Sequence, residues 1–184
     1  MRRLILAAVA VLWLSGCTGI PSGTEAVTDL ELERYLGTWY EIARLDHSFE
    51  RDLDCVTAHY SLRDDGGVRV INRGFNIEEQ TWNETEGRAY FLDAPDVGRL
   101  KVSFFGPFYG GYNILELDEN YRWALVAGPN RGYLWILARS PSLDDKRLEW
   151  LTQRAAEMDF AIDELIHVRH ANGCPEADAF PIRG

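Results

Sequence analysis

The stretch Tyr35-Leu36-Gly37-Thr38-Trp39-Tyr40-Glu41-Ile42-Ala43-Arg44 decides how the rest of this chain is read. Gly37 allows a tight entry that a side chain would obstruct. Trp39, two residues on, brings a large indole to the inner face of a strand. Placed as the first strand of a barrel, the stretch puts Gly37 and Trp39 at the closed end. A Gly-x-Trp by itself also describes a core tryptophan after a turn, so the following residues must decide.

From Arg34 onward, short apolar-rich segments alternate with turn residues at regular spacing, the pattern of an all-β barrel or sandwich. Strands are expected at about 38–46, 55–63, 67–76, 82–92, 98–105, 111–118, 121–128 and 132–139. Asp64-Asp65-Gly66-Gly67 is a strong hairpin signal. Asp93-Ala94-Pro95-Asp96 and Gly128-Pro129-Asn130-Arg131-Gly132 read as turns. A helix then follows Pro141, with Ser142 as its cap and Asp145 three residues on. Its stripe Leu148, Leu151, Ala155 and Met158 suits packing against the outside of the barrel. A final strand near 164–169 and a tail with Cys174 complete the chain. The expected fold is an eight-stranded antiparallel up-and-down β-barrel with a C-terminal α-helix outside, and no internal repeat or second domain.

Topology gives this reading a test. In a sequential antiparallel barrel, alternate connections lie at opposite ends, so the first strand begins where the eighth strand ends. Trp39 and Arg139 are therefore neighbours, and a guanidinium over the indole contributes roughly 0.5 to 2 kcal/mol.

The N-terminus carries a separate instruction. Arg2 and Arg3 precede the apolar run Leu4 to Leu14, which is too short to span a bilayer and reads as a signal peptide. Leu14-Ser15-Gly16-Cys17 resembles the bacterial lipobox. That resemblance implies cleavage before Cys17 and acylation of its sulfur and new amino group, and two acyl attachments give stable anchoring. Thr18, in place of Asp, resembles proteins sorted to the outer membrane, and the domain is expected to face the periplasm. The chain divides into a signal peptide at 1–16, a lipidated N-terminus and flexible linker at 17–28, and one domain at 29–184. The net charge is -10 over 184 residues, and loss of Arg2 and Arg3 with no acid lowers it by two, to -12, in the mature chain. Such acidity argues against nucleic acid as a partner and against a polybasic membrane-binding surface.

Three regions together resemble the signatures of the lipocalin family: Gly37-x-Trp39, the segment Leu117-Asp118-Glu119-Asn120-Tyr121-Arg122-Trp123-Ala124-Leu125, and Arg139. The stretches 37–44, 60–67, Lys101 to Tyr112 and Tyr133-Leu134-Trp135-Ile136 are similar to the bacterial outer-membrane lipocalins, relatives of apolipoprotein D. The resemblance implies a calyx that binds fatty acids or lysophospholipids without chemistry on them, with no cofactor, and it admits a homodimer. Once Cys17 is assigned to lipid, Cys55 and Cys174 remain. An exported protein meets an oxidising compartment, which favours their pairing. Cys55-Val56-x-Ala58-x-Tyr60 also resembles apolipoprotein D, where the matching cysteine ties a strand to the tail.

Strand alternation drafts the lining, starting from the face shared by Trp39 and Arg139. The expected ligand contacts are Val56, Ala58, Tyr60, Val70, Asn72, Gly74, Ala89, Phe91, Val102, Phe104, Tyr109, Tyr112 and Trp135. Gly87 and Ala89 are small enough to leave space, Leu100 shares the fifth strand's inward face, and Trp39, Leu62 and Leu137 are expected to plug the closed end. Tyr60, Asn72 and Tyr112 are candidates for a head group, and Phe108 and Tyr109 for contact with lipid during loading. Glu41 shares the parity of Trp39, and alternation alone leaves its burial open. No catalytic set is evident: there is no Gly-x-Ser-x-Gly, and His47, His59, His167 and His170 show only a His-x-x-His, which is a weak metal pattern. A lipid-modifying enzyme and a protein-binding envelope scaffold remain the alternative classes.

Overall fold

The computed structural model describes residues 18–170 and 174–175. A single turn of helix, α1 (Leu32–Tyr35), leads into eight antiparallel strands: β1 (Gly37–Arg44), β2 (Leu53–Leu62), β3 (Val68–Asn76), β4 (Thr81–Phe91), β5 (Arg99–Ser103), β6 (Gly110–Leu117), β7 (Trp123–Ala127) and β8 (Leu134–Ala138). Each strand pairs with the next, and β1 pairs with both β2 and β8, which closes the barrel. A two-residue strand, β9 (Ile166–His167), adds to the edge of β1 at Ala43 and Arg44. The expected strand at 164–169 is thus shorter, because Ile162–Glu164 forms a 3-10 turn.

Helix α2 (Asp145–Glu157) lies outside the barrel, as its stripe requires. Leu151 and Ala155 are fully buried against Leu125 and Ala127 of β7 and Leu134 and Ile136 of β8, so these two strands are covered on both faces. The cap is not Ser142. Ser140 Oγ donates to the Ser142 carbonyl at 2.6 Å, holding the chain in a turn, and the helix begins two residues later than expected. Asp144 occupies the cap position and its Oδ1 accepts from Arg147 N at 3.0 Å.

Irregularities in the strands decide which charges enter the barrel. The pairing of β1 with β8 shifts register between Glu41 and Ala43. This bulge turns Arg44 to the same side as Glu41, so both point inward three residues apart where simple alternation would separate them. The residues before the barrel also differ from the expected free linker. Val27 N donates to Ile114 O at 2.9 Å, Gly98 N donates to Val27 O at 2.8 Å, and Pro21 is buried, so residues 18–30 run along the wall as a strap.

Candidate functional site

The closed end is built as the signature residues demand. Trp39 is fully buried and its indole N–H donates to Tyr35 O at 2.8 Å. Arg139 lies with its guanidinium 4.0 Å from the indole centroid, and it donates to the carbonyls of Thr38, Arg34 and Tyr121 at 3.0, 2.6 and 3.2 Å. Gly37 sits at φ +93°, and a Cβ there would stand 3.3 Å from Arg139 Nη1. Its absence of a side chain serves the backbone and the arginine together. Leu62 does not plug this end. It is the last residue of β2, beside the hairpin, and is 55% exposed because the strand runs past the end of the core.

Above this floor lies a cavity of about 100 Å³. Ten of the thirteen expected contacts line it: Val56, Ala58, Tyr60, Val70, Asn72, Ala89, Val102, Phe104, Tyr112 and Trp135. The other three are corrections. Gly74 is covered, since a Cβ on it would meet Leu53 and Val56 at 3.1 to 3.2 Å. Phe91 has the inward parity and packs against the core opposite Leu100, but it does not line the cavity. Tyr109 is outside the barrel, with the Lys101 ammonium 5.0 Å from its ring and its hydroxyl accepting from Arg88 Nε at 3.2 Å. The space expected over Gly87 is filled by Phe104, whose ring would lie 2.7 Å from a Cβ at that position. The lumen is correspondingly narrow. Leu100 and Leu137 line it as well.

Polar groups enter this apolar lumen at three places. Tyr112 Oη lies 2.7 Å from Tyr35 Oη and 2.9 Å from Tyr60 Oη. Burial pushes all three phenols well above the ordinary range, so they remain neutral donors. Three hydroxyl protons serve two mutual bonds, which leaves one available to another acceptor. Asn72 Oδ1 is buried without a partner on the cavity wall. Alternation selected Tyr60, Asn72 and Tyr112 but not Tyr35, which precedes the first strand.

The third place is a buried ionisable cluster. Arg44 Nη1 donates to Glu41 Oε1 at 2.9 Å, and Nη2 donates to the carbonyls of Glu50 and Leu53 at 2.9 and 3.0 Å. Trp135 Nε1 donates to Glu50 Oε2 at 3.1 Å. His47 Nε2 stands 3.1 Å from the same oxygen, a contact too bent to be a full hydrogen bond. Burial, and then the charge of Glu50, hold the Glu41 carboxyl well above the usual range, against the pull of Arg44. Burial also pushes Glu50 upward, but His47, Trp135 and Arg44 outweigh it and leave Glu50 below that range. Glu41 therefore holds its proton more tightly than Glu50 does. Glu41, Glu50 and Phe49 all line the cavity. Glu50 and Phe49 lie on the loop after β1, beyond the reach of strand parity, and only the shared parity of Glu41 with Trp39 pointed here.

Cys55 and Cys174 are joined by a disulfide across 119 residues of sequence. Cys17 and the signal peptide lie outside the described residues. Among the described residues, no group of His, Cys, Asp and Glu is arranged to hold a metal ion.

Residues 30–170 match the family described as a lipocalin-like domain. The chain belongs to the lipocalin family. The outer membrane lipoprotein Blc of Citrobacter freundii is 55% identical over 149 residues, which is 81% of this chain and 84% of that protein. Blc of Vibrio cholerae is 51% identical over 170 residues, covering 92% of this chain and 99% of its own length. Mouse apolipoprotein D is more distant, at 31% identity over 158 residues and 80% of each chain. Among solved structures, insecticyanin from the tobacco hornworm Manduca sexta superposes with a TM-score of 0.66 at 20% identity, over 84% of this chain and 88% of its own. That likeness shows the lipocalin fold alone. The names of the bacterial relatives agree with the outer-membrane location expected from Leu14-Ser15-Gly16-Cys17.

Proposed function

We propose that this lipocalin is an outer-membrane lipoprotein that carries a single-chain lipid, a fatty acid or a lysophospholipid, and releases it unchanged. Residues 1–16 direct export, Cys17 carries the acyl anchor, and the barrel faces the periplasm. The observation that carries this reading is the form of the lumen. It is narrow and apolar, and it holds hydrogen-bonding capacity that the protein leaves unused: one tyrosine hydroxyl proton and Asn72 Oδ1. The space of about 100 Å³ lies below the range of roughly 300 to 1,000 Å³ of sites for drug-sized ligands. Each methylene buried there contributes about 0.8 kcal/mol before the costs of binding.

The test is a titration with palmitate and with palmitoyl lysophosphatidylethanolamine, followed by tryptophan fluorescence and by mass analysis of the bound species. Saturable binding of intact lipid is expected. Trp135→Ala weakens it by about tenfold or more, the loss of one large apolar contact. Trp135→Phe, which keeps an aromatic wall but not the bond to Glu50, retains most of the affinity if wall contact is the role. Absence of saturable binding overturns the carrier reading, and a lipid recovered with altered mass replaces it with an enzyme.

A further inference from the structure

We infer that the open end of the barrel is a membrane-docking face, seated on the bilayer that holds the lipid anchor, so that the cavity mouth opens directly onto that bilayer. This rests on the proposed acylation of Cys17.

Two independent observations meet at one end of the molecule. The first is the distribution of exposed apolar side chains. The described residues expose seven large ones, and four of them, Phe49, Ile77, Phe105 and Phe108, lie in the β1–β2, β3–β4 and β5–β6 connections. In an up-and-down barrel those connections all frame the open end, opposite Trp39 and Arg139. Phe105 and Phe108 are 75% and 78% exposed, while Phe49 faces both solvent and the cavity. Clustered apolar exposure of this kind marks an interaction surface, whereas Leu62 at the closed end and Trp150 and Ile166 on the flanks stand singly.

The second observation is where the anchor enters. Asn113, fully buried at the start of β6, donates through Nδ2 to Gly19 O at 3.0 Å. Gly19 lies so close over Gly111 that a Cβ there would stand 2.6 Å from its carbonyl oxygen. Arg131, in the β7–β8 connection, donates through Nη2 to Ser22 O at 2.7 Å. Thr18 is thus fixed at the mouth, beside the loop that carries Phe105 and Phe108. Cys17 is the residue that precedes Thr18 in the sequence. A free linker would permit any orientation of the barrel, but a strap pinned at the mouth imposes this one.

The occupant is a lipid surface by its chemistry. The three loops hold Asp46, Glu50, Asp52, Glu78 and Glu79 against Arg51 alone, so charge does not draw them to an anionic membrane. Contact is apolar, reinforced by the high local concentration that a short tether gives. It therefore persists at high salt, unlike a polybasic contact.

The experiment reconstitutes the mature lipidated protein in vesicles of phosphatidylethanolamine and phosphatidylglycerol that contain phosphatidylcholine with a photoactivatable acyl chain, and maps the adducts after illumination. Adducts are expected on 47–52, 76–80 and 104–110, unchanged in high salt, with none on the 62–67 hairpin. Adducts on the hairpin or flanks with the rim bare, adducts confined to cavity strands, or loss of rim adducts in high salt each overturn the inference. Phe105→Ser combined with Phe108→Ser, at sites too exposed to threaten folding, slows uptake of palmitate from the same vesicles by about tenfold. Binding of decanoate delivered from solution stays unchanged; equal uptake by parent and variant overturns docking as the loading route. If the parent protein binds no lipid from either source, the carrier reading fails, and the adduct map alone decides the docking face.

Discussion

The two ends of the barrel use similar residues in opposite ways. At the closed end, Trp39 is fully buried and Arg139 lies over it, with three backbone carbonyls accepting from the guanidinium. At the open end, Phe105 and Phe108 stand in solvent, while an arginine, two glutamates and a histidine are drawn inside. One end satisfies its polar groups with fixed backbone and is expected to be rigid. The other leaves aromatic surface uncovered and keeps a titratable cluster on the cavity wall. Burial of charge is costly unless each group is paired, so its place beside the lumen ties the open end to function more than to stability.

The sharpest way to break this contrast is at Trp39. Trp39→Ala empties the floor of the barrel and strips Arg139 of its ring, and a loss of roughly 3 to 5 kcal/mol is expected. Leu62→Ala, at the same end but outside the core, changes stability by no more than about 0.5 kcal/mol. Urea unfolding of the two variants measures the difference. A Trp39→Ala protein within about 1 kcal/mol of the parent removes the closed end as the anchor of the fold.

The closed end was also the part most legible in the sequence. Gly37, Trp39 and Arg139 are tied by topology, since the first strand must begin where the eighth ends, and no side-chain detail is needed to bring them together. Alternation read most of the lining for the same reason. It failed at Gly74 and Gly87, where small residues suggested space that Leu53, Val56 and Phe104 in fact occupy. Tyr109 was expected from the open-end position of its loop, and its ring instead lies against Lys101 and Arg88. The ionisable cluster was nearly invisible, because a one-residue bulge turns Arg44 inward and its partner Glu50 comes from a loop. The strap read as a linker because Pro21, Ser22 and Gly23 suit a flexible chain, while its hydrogen bonds run through backbone atoms that carry no sequence signal.

A smaller effect should appear on the open side. The disulfide joins the C-terminal tail to Cys55 near the start of β2, where Cys55 N also donates to Arg169 O at 3.1 Å. Replacing both cysteines by alanine reopens a loop of 119 residues, and a loss of about 2 to 4 kcal/mol is expected. Its position predicts where the loss is felt. Hydrogen exchange should quicken at 53–57 and 166–170 and stay slow around Trp39. Uniform acceleration over the barrel would show that the two ends unfold together and would weaken the contrast.

The smallest expected effect separates the ends by pH. Glu41 binds its proton more tightly in the folded state than in the unfolded chain, where its ordinary value is 4.5. Its contribution is therefore fully present below that value and is lost as pH rises through the raised folded one. Glu50 has the opposite sign: its contribution is present above the ordinary range and is lost as pH falls through the lowered folded value. Glutamine mimics a protonated glutamate in shape and charge, so Glu41→Gln should match the parent at about pH 5. As pH rises toward about 8 the variant should become the more stable of the two, because the unfolded parent gains by ionising Glu41 and the variant has nothing there to ionise. No such change is expected at the closed end, where Arg139 is held by carbonyls and burial keeps the phenol of Tyr35 protonated. Trp39→Ala should accordingly shift the whole stability-against-pH curve by a constant amount. Were Glu41→Gln instead to cost several kcal/mol near pH 5, Glu41 would be the ionised partner of Arg44, and the proton would belong to Glu50.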